Sequence, residues 1–377
     1  MDVTNLVIQT IFWSLGFLFL FRIPRCRRSD KKIKSYPSVS IVIPARNEET
    51  SLPILLASLR DQDFIPDEII VIIDQSEDKT KEIAKSEGVI TIESKPLPKG
   101  WVGKPWACHQ GSQAAKGDIL IFLDADTCIE NDGLRKIVET CLRRDGVVSI
   151  QPYHKTKKNY EQLSAFFNII MMGAMGTFTI AGNLLKPIGL FGPCVVMKKK
   201  YYLEIGGHVE VKGEVVEDLA LGNKLEKQKI PIYCYGGKGT ISFRMYPNGM
   251  RELVDGWSKG FATGAIKTYI PILLGIIAWV GGGISATMYV IEAISNINTI
   301  SIMVCMVWIL AYLGYTIQIY WMLFRVGTFR FYTALFYPVS LLFFLIIFLR
   351  SFFLIFIRRR VRWKGITIPL KDKALKK

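Results

Sequence analysis

The chain has 377 residues, half of them hydrophobic, and carries 48 Lys and Arg against 32 Asp and Glu for a formal charge of +16. That excess of positive charge suits nucleic acid or an anionic membrane face, but no nucleic-acid-binding motif accompanies it, so nucleic acid is set aside as a partner. The seven cysteines are odd in number and form no C-x-x-C pair, which argues against a disulfide framework or structural zinc and suits a reducing cytosol.

The first apolar segment, residues 3–23, is about long enough to cross a bilayer. Positive charges follow it instead of preceding it, and no small-residue cleavage site appears. It therefore reads as an N-terminal transmembrane anchor (1–24), not a signal peptide. Arg22, Arg25, Arg27, Arg28, Lys31, Lys32 and Lys34 come next. They make 25–37 a basic linker, a cytosolic topology signal able to hold anionic lipid at roughly 1 kcal/mol per charge.

Residues 38–265 read as one globular domain. Strand patterns at 39–43, 68–73, 89–93 and 119–123 alternate with helical patterns at 49–59, 79–87 and 103–116. This predicts an α/β domain with a mainly parallel sheet, whose ligands gather beyond the carboxyl ends of the strands. The stretch 166–181 is apolar but short and broken by glycines, which predicts an interfacial or buried helix.

Residues 270–291, 300–324 and 332–357 are each long enough to span. They give a membrane region at 266–357 and a basic tail at 358–377. Three full crossings after a cytosolic domain put Arg358, Arg359 and Arg360 outside, against the positive-inside rule. Pro338 and Arg350 interrupt the last segment, so spanning, re-entrant and interfacial placements all stay open for it.

Polar motifs stand at three strand ends. Asp124 and Asp126 follow the fourth strand with one alanine between them. Two such carboxylates can address a hard cation and a sugar-nucleotide, because Mg²⁺ and Mn²⁺ take oxygen ligands and complete their shells from phosphate and water. Alone, the same pattern is a solvated acidic turn. After the first strand, Pro44, Ala45, Arg46, Asn47 and Glu48 offer groups to a base or phosphate, or simply open a helix. After the second, Asp74 can accept from the imide N–H of uracil, and Asp78 caps the following helix.

Lys104 opens a predicted helix, where a phosphate is favoured; a plain surface lysine is the alternative. Glu217 and Asp218 follow Gly206-Gly207-His208 and supply a carboxylate base for an attacking hydroxyl, or merely an acidic helix start. His154 and His208 are isolated histidines and rank below the carboxylates.

In this order along one chain, the motifs resemble glycosyltransferase family 2, the inverting GT-A group, over roughly residues 38–265. I-V-I-P-A-R-N-E-E at 41–49 is similar to that family's opening strand and nucleotide loop. D-Q-S-E-D at 74–78 resembles its D-x-S-x-D turn, with Ile73 where many members carry another Asp. Gly103, Lys104 and Ala107 resemble its G-K-x-x-A element, Asp124 and Asp126 its D-x-D, and Asp218 the aspartate of its E-D motif. The resemblance implies a GT-A fold, Asp126 as ligand to Mn²⁺ or Mg²⁺, Asp124 near the ribose and Asp218 as base.

The Q-x-x-R-W motif of polymerising members is absent. Asp255-Gly256-Trp257-Ser258-Lys259-Gly260 stands in its place, which weakens any reading as a processive synthase. A closer likeness is carried by S-I-Q-P-Y-H at 149–154, F-G-P at 191–193, G-G-H at 206–208, F-R-M-Y at 243–246, the Gly256-Trp257 stretch and the Trp363-Lys364-Gly365 tail. These are similar to bacterial glycosyltransferases that glucosylate diaponeurosporenoate, a C30 carotenoid acid. On that likeness His208, Glu217 and Trp257 are expected on the acceptor or product side.

The expected protein is a multi-pass cell-membrane enzyme with its catalytic domain in the cytosol. It moves a hexose, glucose by resemblance, from a UDP-sugar donor to an apolar lipid acceptor delivered from the bilayer. Two alternatives stand beside it. One is another lipid acceptor, a hydroxyl or a polyprenyl phosphate, because a hydroxyl needs the base that Asp218 offers and a carboxylate does not. The other is a catalytically silent membrane scaffold of the same fold.

Overall fold

The structure, a computed structural model, describes residues 3–30, 33–214, 216–259, 261–358, 360–363 and 366–369. Lys31, Lys32, Gly260, Arg359, Lys364 and Gly365, named above, lie outside them. The chain forms two units. One comprises Pro24–Lys155, Lys186–Met245 and the tail; the other comprises Met1–Ile23, Thr156–Leu185 and Tyr246–Arg358. The boundary thus differs from the continuous 38–265 domain expected from sequence. Thr156–Leu185 and the chain from Tyr246 onward pack with the apolar helices, because their own side chains are apolar and aromatic.

The first unit is built on a seven-stranded sheet. Its strands are β1 (Val39–Ala45), β2 (Glu68–Ile73), β3 (Ile90–Glu93), β4 (Ile119–Leu123), β6 (Val147–Gln151), β8 (Cys194–Lys198) and β9 (Ile232–Gly236), with β5 (Thr127–Ile129) and β7 (Tyr153–His154) between them in sequence. The order is β3-β2-β1-β4-β8-β6-β9. The first four strands run parallel, β8 is antiparallel to both its neighbours, and β6 and β9 are parallel again. A second, three-stranded sheet joins β5, β10 (Ile241–Phe243) and β7.

Central strands covered on both faces read as unbroken apolar runs, and β4, I-L-I-F-L, is buried at every position. One face packs on Leu52–Arg60 and Gly133–Arg143, through Leu52, Leu55, Leu59, Leu134, Ile137 and Val138. The other packs on Gly103–Ala114 and Glu217–Lys227, through Ala107, Cys108, Leu221 and Leu225.

The basic segment after the first apolar stretch is not a free linker. Arg25 forms a parallel bridge with Gly236, the Gly236 N–H donates to the Pro24 carbonyl at 2.8 Å, and Cys26 is buried. Arg28 reaches Asp63 at 2.7 Å and Asp132 at 2.9 Å. The Tyr36 hydroxyl donates to Glu139 at 2.7 Å. Arg28 is therefore committed to acidic partners within this unit instead of to lipid.

The second unit is helical. Ile270–Ser295, Ile302–Val326 and Tyr337–Ile357 are long and apolar enough to cross a membrane. The N-terminal helix is shorter than sequence suggested. Val3–Leu15 continues as one 3-10 turn to Leu18, and Phe19 is extended. That is about 24 Å of helix at about 1.5 Å per residue, against an apolar core of about 30 Å.

Several of its polar groups pair inside the bundle. Gln9 donates to the Gly282 carbonyl at 2.8 Å. Gln318 accepts from Trp279 Nε1 and donates to the Trp13 carbonyl, both at 2.8 Å. Unsatisfied amides in an apolar interior would cost several kcal/mol. Residues 166–181 overlap the buried helix Ala165–Ala174, in keeping with the buried alternative.

Candidate active site

The site lies beyond the carboxyl ends of β1, β2 and β4, where open α/β sheets bind ligands. Lys104, on the first turn of Gly103–Ala114, sits in a cluster of acids. Its ammonium is 2.8 Å from Asp124 Oδ1, 3.4 Å from Glu217 Oε1 and 4.0 Å from Asp218 Oδ2. Burial pulls the Lys104 pKa down, but the charges of Asp124, Asp218 and Glu217 outweigh it and hold the lysine well above its usual value. The plain surface-lysine alternative therefore fails. Pro44, Lys104, Cys108, Asp124, Gly192, His208 and Asp218 line one cleft.

Each acid has a local reason for its place. Register pairs Leu123 with Cys194 across β4 and β8, and the Asp124 N–H donates to the Pro193 carbonyl at 3.0 Å. The D-A-D turn is thereby laid beside F-G-P. Thr127 closes the turn, its N–H and hydroxyl both donating to the Asp124 carbonyl, at 3.2 and 2.8 Å. Ala125 is buried beneath, with Asp124 and Asp126 half-buried on either side. Glu217 and Asp218 form the first turn of Glu217–Lys227, where the helix dipole favours negative charge.

The loops after β1 and β2 brace one another. The amides of Asn47, Glu48 and Glu49 donate to Ser76, Thr80 and Asp78, at 3.1, 2.8 and 3.0 Å. In return the Glu77 N–H donates to Asn47 Oδ1 at 2.9 Å. Asn47 and Gln75 both adopt left-handed backbone, with φ of 51° and 50°, a conformation that persists where surrounding contacts over-determine it. The next helix is capped at Lys79, one residue later than expected, and Asp78 accepts from the N–H of its first residue, Thr80, at 3.1 Å. Arg46 lies 3.8 Å from Asp74, and Asp74 is buried. A side chain at Gly103 would stand 2.6 Å from Asp74 Oδ2, so glycine lets the Lys104 helix start there without displacing that carboxylate.

His208 is buried against Phe122, with ring centroids 5.0 Å apart. The Tyr202 hydroxyl accepts from the His208 N–H at 3.1 Å and meets its Nδ1 at 2.8 Å. Burial pushes the imidazole pKa down to about 3, with Glu217 opposing and Lys104 assisting. This histidine is neutral at physiological pH.

Of the residues singled out from sequence, Pro44, Lys104, Asp124, Asp218 and His208 meet in the cleft, with Glu217 in contact through Lys104. Ala45 ends β1, Arg46, Glu48 and Asp74 belong to the adjoining braced loops, and Asp126 to the turn between β4 and β5. Trp257 belongs to the helical unit, where its indole N–H donates to Ser164 at 3.0 Å and its ring stacks on Phe167 at 4.6 Å. Among the described residues, no group of three or more His, Cys, Asp or Glu is arranged to hold a metal by itself.

Sequence reading missed Gly192, Cys108 and Tyr202. Cys108 stands one helical turn after Lys104, a spacing that points it toward the same place. Tyr202 carries no local signal, and the importance of Gly192 lies in what it leaves empty.

The profile of Glycosyl transferase family 2 matches residues 40–205. A 4,4'-diaponeurosporenoate glycosyltransferase of Staphylococcus haemolyticus is 38% identical over 254 residues, covering 66% of this chain and 68% of that protein. The enzyme of the same name from Staphylococcus aureus is 32% identical over 348 residues, covering 90% of this chain and 91% of that protein. Mannosyltransferase PcManGT from Pyrobaculum calidifontis, solved with GDP-Man and Mn²⁺, superposes with a TM-score of 0.54 at 15% identity, over 90% of this chain and 95% of that one. That last likeness is one of fold.

Proposed function

The chain belongs to glycosyl transferase family 2, and on that premise we propose that it moves a glucosyl group from UDP-glucose to an apolar lipid acid, a C30 carotenoid carboxylate, at a cytosolic membrane face. The observation that carries the reading is the meeting of Lys104 with Asp124, Glu217 and Asp218 at the strand ends. One cation held among three acids is an arrangement that an incoming diphosphate and divalent cation can take apart and re-pair. The acceptor is argued from the two relatives, one of them matched over 91% of its length.

In this reading Arg46, Glu48 and Asp74, with Pro44 and Ala45, hold the nucleotide in the braced loops. Lys104 turns from Asp124 to the diphosphate. The donor set fits a hard cation: Asp124 and Asp126 offer carboxylate oxygen only, and Mg²⁺ and Mn²⁺ commonly use one or two carboxylates with phosphate and water. Asp126, with Asp124, would hold Mn²⁺ or Mg²⁺. When bound, that ion supplies electrostatic stabilisation of the leaving diphosphate.

The acceptor oxygen attacks C1 from the face opposite the diphosphate. The new C1–O bond forms as the bond to UDP breaks, and UDP leaves with the electron pair. A carboxylate acceptor needs no base. A hydroxyl acceptor passes its proton to Asp218, and the place of Asp218 in the cluster favours that second reading, in which another lipid hydroxyl is glycosylated.

The test is transfer of labelled glucose from UDP-glucose to diaponeurosporenoic acid by the membrane-embedded protein with Mn²⁺. One discrete glycolipid is expected. A ladder of products would overturn the non-processive reading. Absence of transfer to any acid or lipid alcohol, with no UDP-glucose hydrolysis, would leave the silent scaffold.

A further inference from the structure

We propose that residues 331–352 form a re-entrant hairpin, entering the membrane and leaving it on the same side, so that the third apolar segment does not cross. By length and composition Tyr337–Ile357 is a span, with a mean hydropathy of 2.6. Its contacts within the helical unit give it another path.

Ile270–Ser295 and Ile302–Val326 pack antiparallel, with Tyr289 on Trp308, Gly282 on Tyr315 and Trp279 on Gln318. One end of this pair is marked by Val326. There Arg325 donates to the Phe21 carbonyl at 3.2 Å, and Thr328 accepts from the Thr156 N–H at 2.8 Å. Phe21 and Thr156 stand beside the points where the chain leaves and enters the helical unit, so this is the end of the pair at which the chain connects to the other unit.

From there the chain turns back inward. Phe331 lies against Tyr320, with ring centroids 5.2 Å apart. The Leu335 carbonyl accepts from the Tyr312 hydroxyl at 2.6 Å. Tyr337 then donates to the Gly283 carbonyl at 2.9 Å and packs on Tyr312 at 5.0 Å. Gly283 lies about 20 Å along its helix from Ile270, at about 1.5 Å per residue. The helix Tyr337–Phe352 therefore begins near mid-depth.

It runs back the way the chain came. Phe344 meets Phe166, Phe167 and Phe261, and Phe166 sits on Trp279, nearer Ile270 than Gly283 is. Arg350 bonds Ser258 and Asp255, each at 3.2 Å, and Ser351 accepts from the Ala262 N–H at 3.2 Å. Those partners lie on the helices that lead into Ile270. The 16 residues of Tyr337–Phe352 rise about 24 Å, close to the depth to be recovered. Val339, Leu342, Ile346 and Leu349 are exposed along one stripe, which only lipid can cover without cost. The path also returns Arg358 to the side of Arg22, as the positive-inside rule requires.

The test is a spin-label depth profile of the full-length protein in liposomes, with single cysteines at Val339, Leu342, Ile346, Leu349 and Phe353. Six of the seven native cysteines are buried, so Cys128→Ser lowers the background. Immersion should decline steadily from 339 to 353. A maximum near 346 with shallow values at both ends would overturn the proposal. A second measurement keeps it open to refutation if labelled variants insert poorly. A cysteine appended after Lys377 should react with an impermeant maleimide from the same side as Lys227→Cys, and from the side opposite Ile297→Cys. Reaction of the appended cysteine together with Ile297→Cys would equally refute it.

Discussion

The carboxylate of Asp218 lies directly against the backbone of Gly192, in space that any side chain at Gly192 would occupy. Gly192 does not have a positive φ, so alanine is acceptable to the backbone, and the conflict is with Asp218 alone. Gly192→Ala should displace that carboxylate by about 1 Å. A displacement of that size at a reacting centre costs on the order of 10²-fold in rate. Transfer should fall accordingly while the melting temperature stays within a few degrees of wild type. Normal turnover by Gly192→Ala would show that Asp218 has no role fixed at this position.

Asp126→Ala should abolish transfer while the protein stays folded. The residue is half-buried in a turn, so little packing is lost. Removing a group that stabilises developing charge typically costs at least about 10²-fold, or about 2.7 kcal/mol. EDTA should reproduce the loss in wild type, and added Mn²⁺ or Mg²⁺ should restore it. Undiminished transfer by Asp126→Ala in EDTA would sink the metal reading.

The buried His208 makes stability depend on pH. Its pKa is about 3 in the fold and about 6.5 in the unfolded chain. Between those values the unfolded state binds a proton that the native state refuses, so stability falls as pH falls from 6.5 towards 3. The loss is at most about 2.7 kcal/mol by pH 4.5, at 1.36 kcal/mol per unit. His208→Asn removes this contribution. Melting curves from pH 7 to 4.5 should show a smaller drop for the variant than for wild type. Parallel drops would mean that His208 is not held neutral.

The catalytic half of the fold was legible where strands are buried on both faces. Val39–Ala45, Glu68–Ile73 and Ile119–Leu123 announce themselves as apolar runs ending in polar motifs; Asp124 was named from one of those motifs, Lys104 and Asp218 from the G-K-x-x-A and E-D patterns at two helix starts. The rest depends on distant partners. Residues 25–37 read as a basic linker because nothing in R-C-R-R says that Arg28 will find Asp63 and Asp132. Thr156–Leu185 read as part of the catalytic domain because its neighbours Trp257, Trp279 and Phe344 come about a hundred residues or more later. Trp257 packs on Ser164 and Phe167, partners about ninety residues earlier that no local motif announces.

The acceptor's chemistry can be read from Asp218→Asn. The substitution keeps the size of the side chain and its fit against Gly192 but removes the ability to take a proton. Lys104 loses one of three acids, the most distant at 4.0 Å, and keeps Asp124 and Glu217, so binding of UDP and metal should persist within a few-fold. If the acceptor is a hydroxyl, its proton must leave as the C1–O bond forms, and loss of the base should lower kcat by about 10²- to 10⁴-fold with KM for UDP-glucose nearly unchanged. If the acceptor is a carotenoid carboxylate, it is already ionised at neutral pH and no proton moves. Asp218→Asn should then keep much of its activity on diaponeurosporenoic acid, with a rate independent of pH above about 6. Comparing the variant's kcat on an acid and on a lipid alcohol of similar length decides between them. Equal, large losses on both would mean that Asp218 acts by orienting the acceptor or donor and not by accepting a proton.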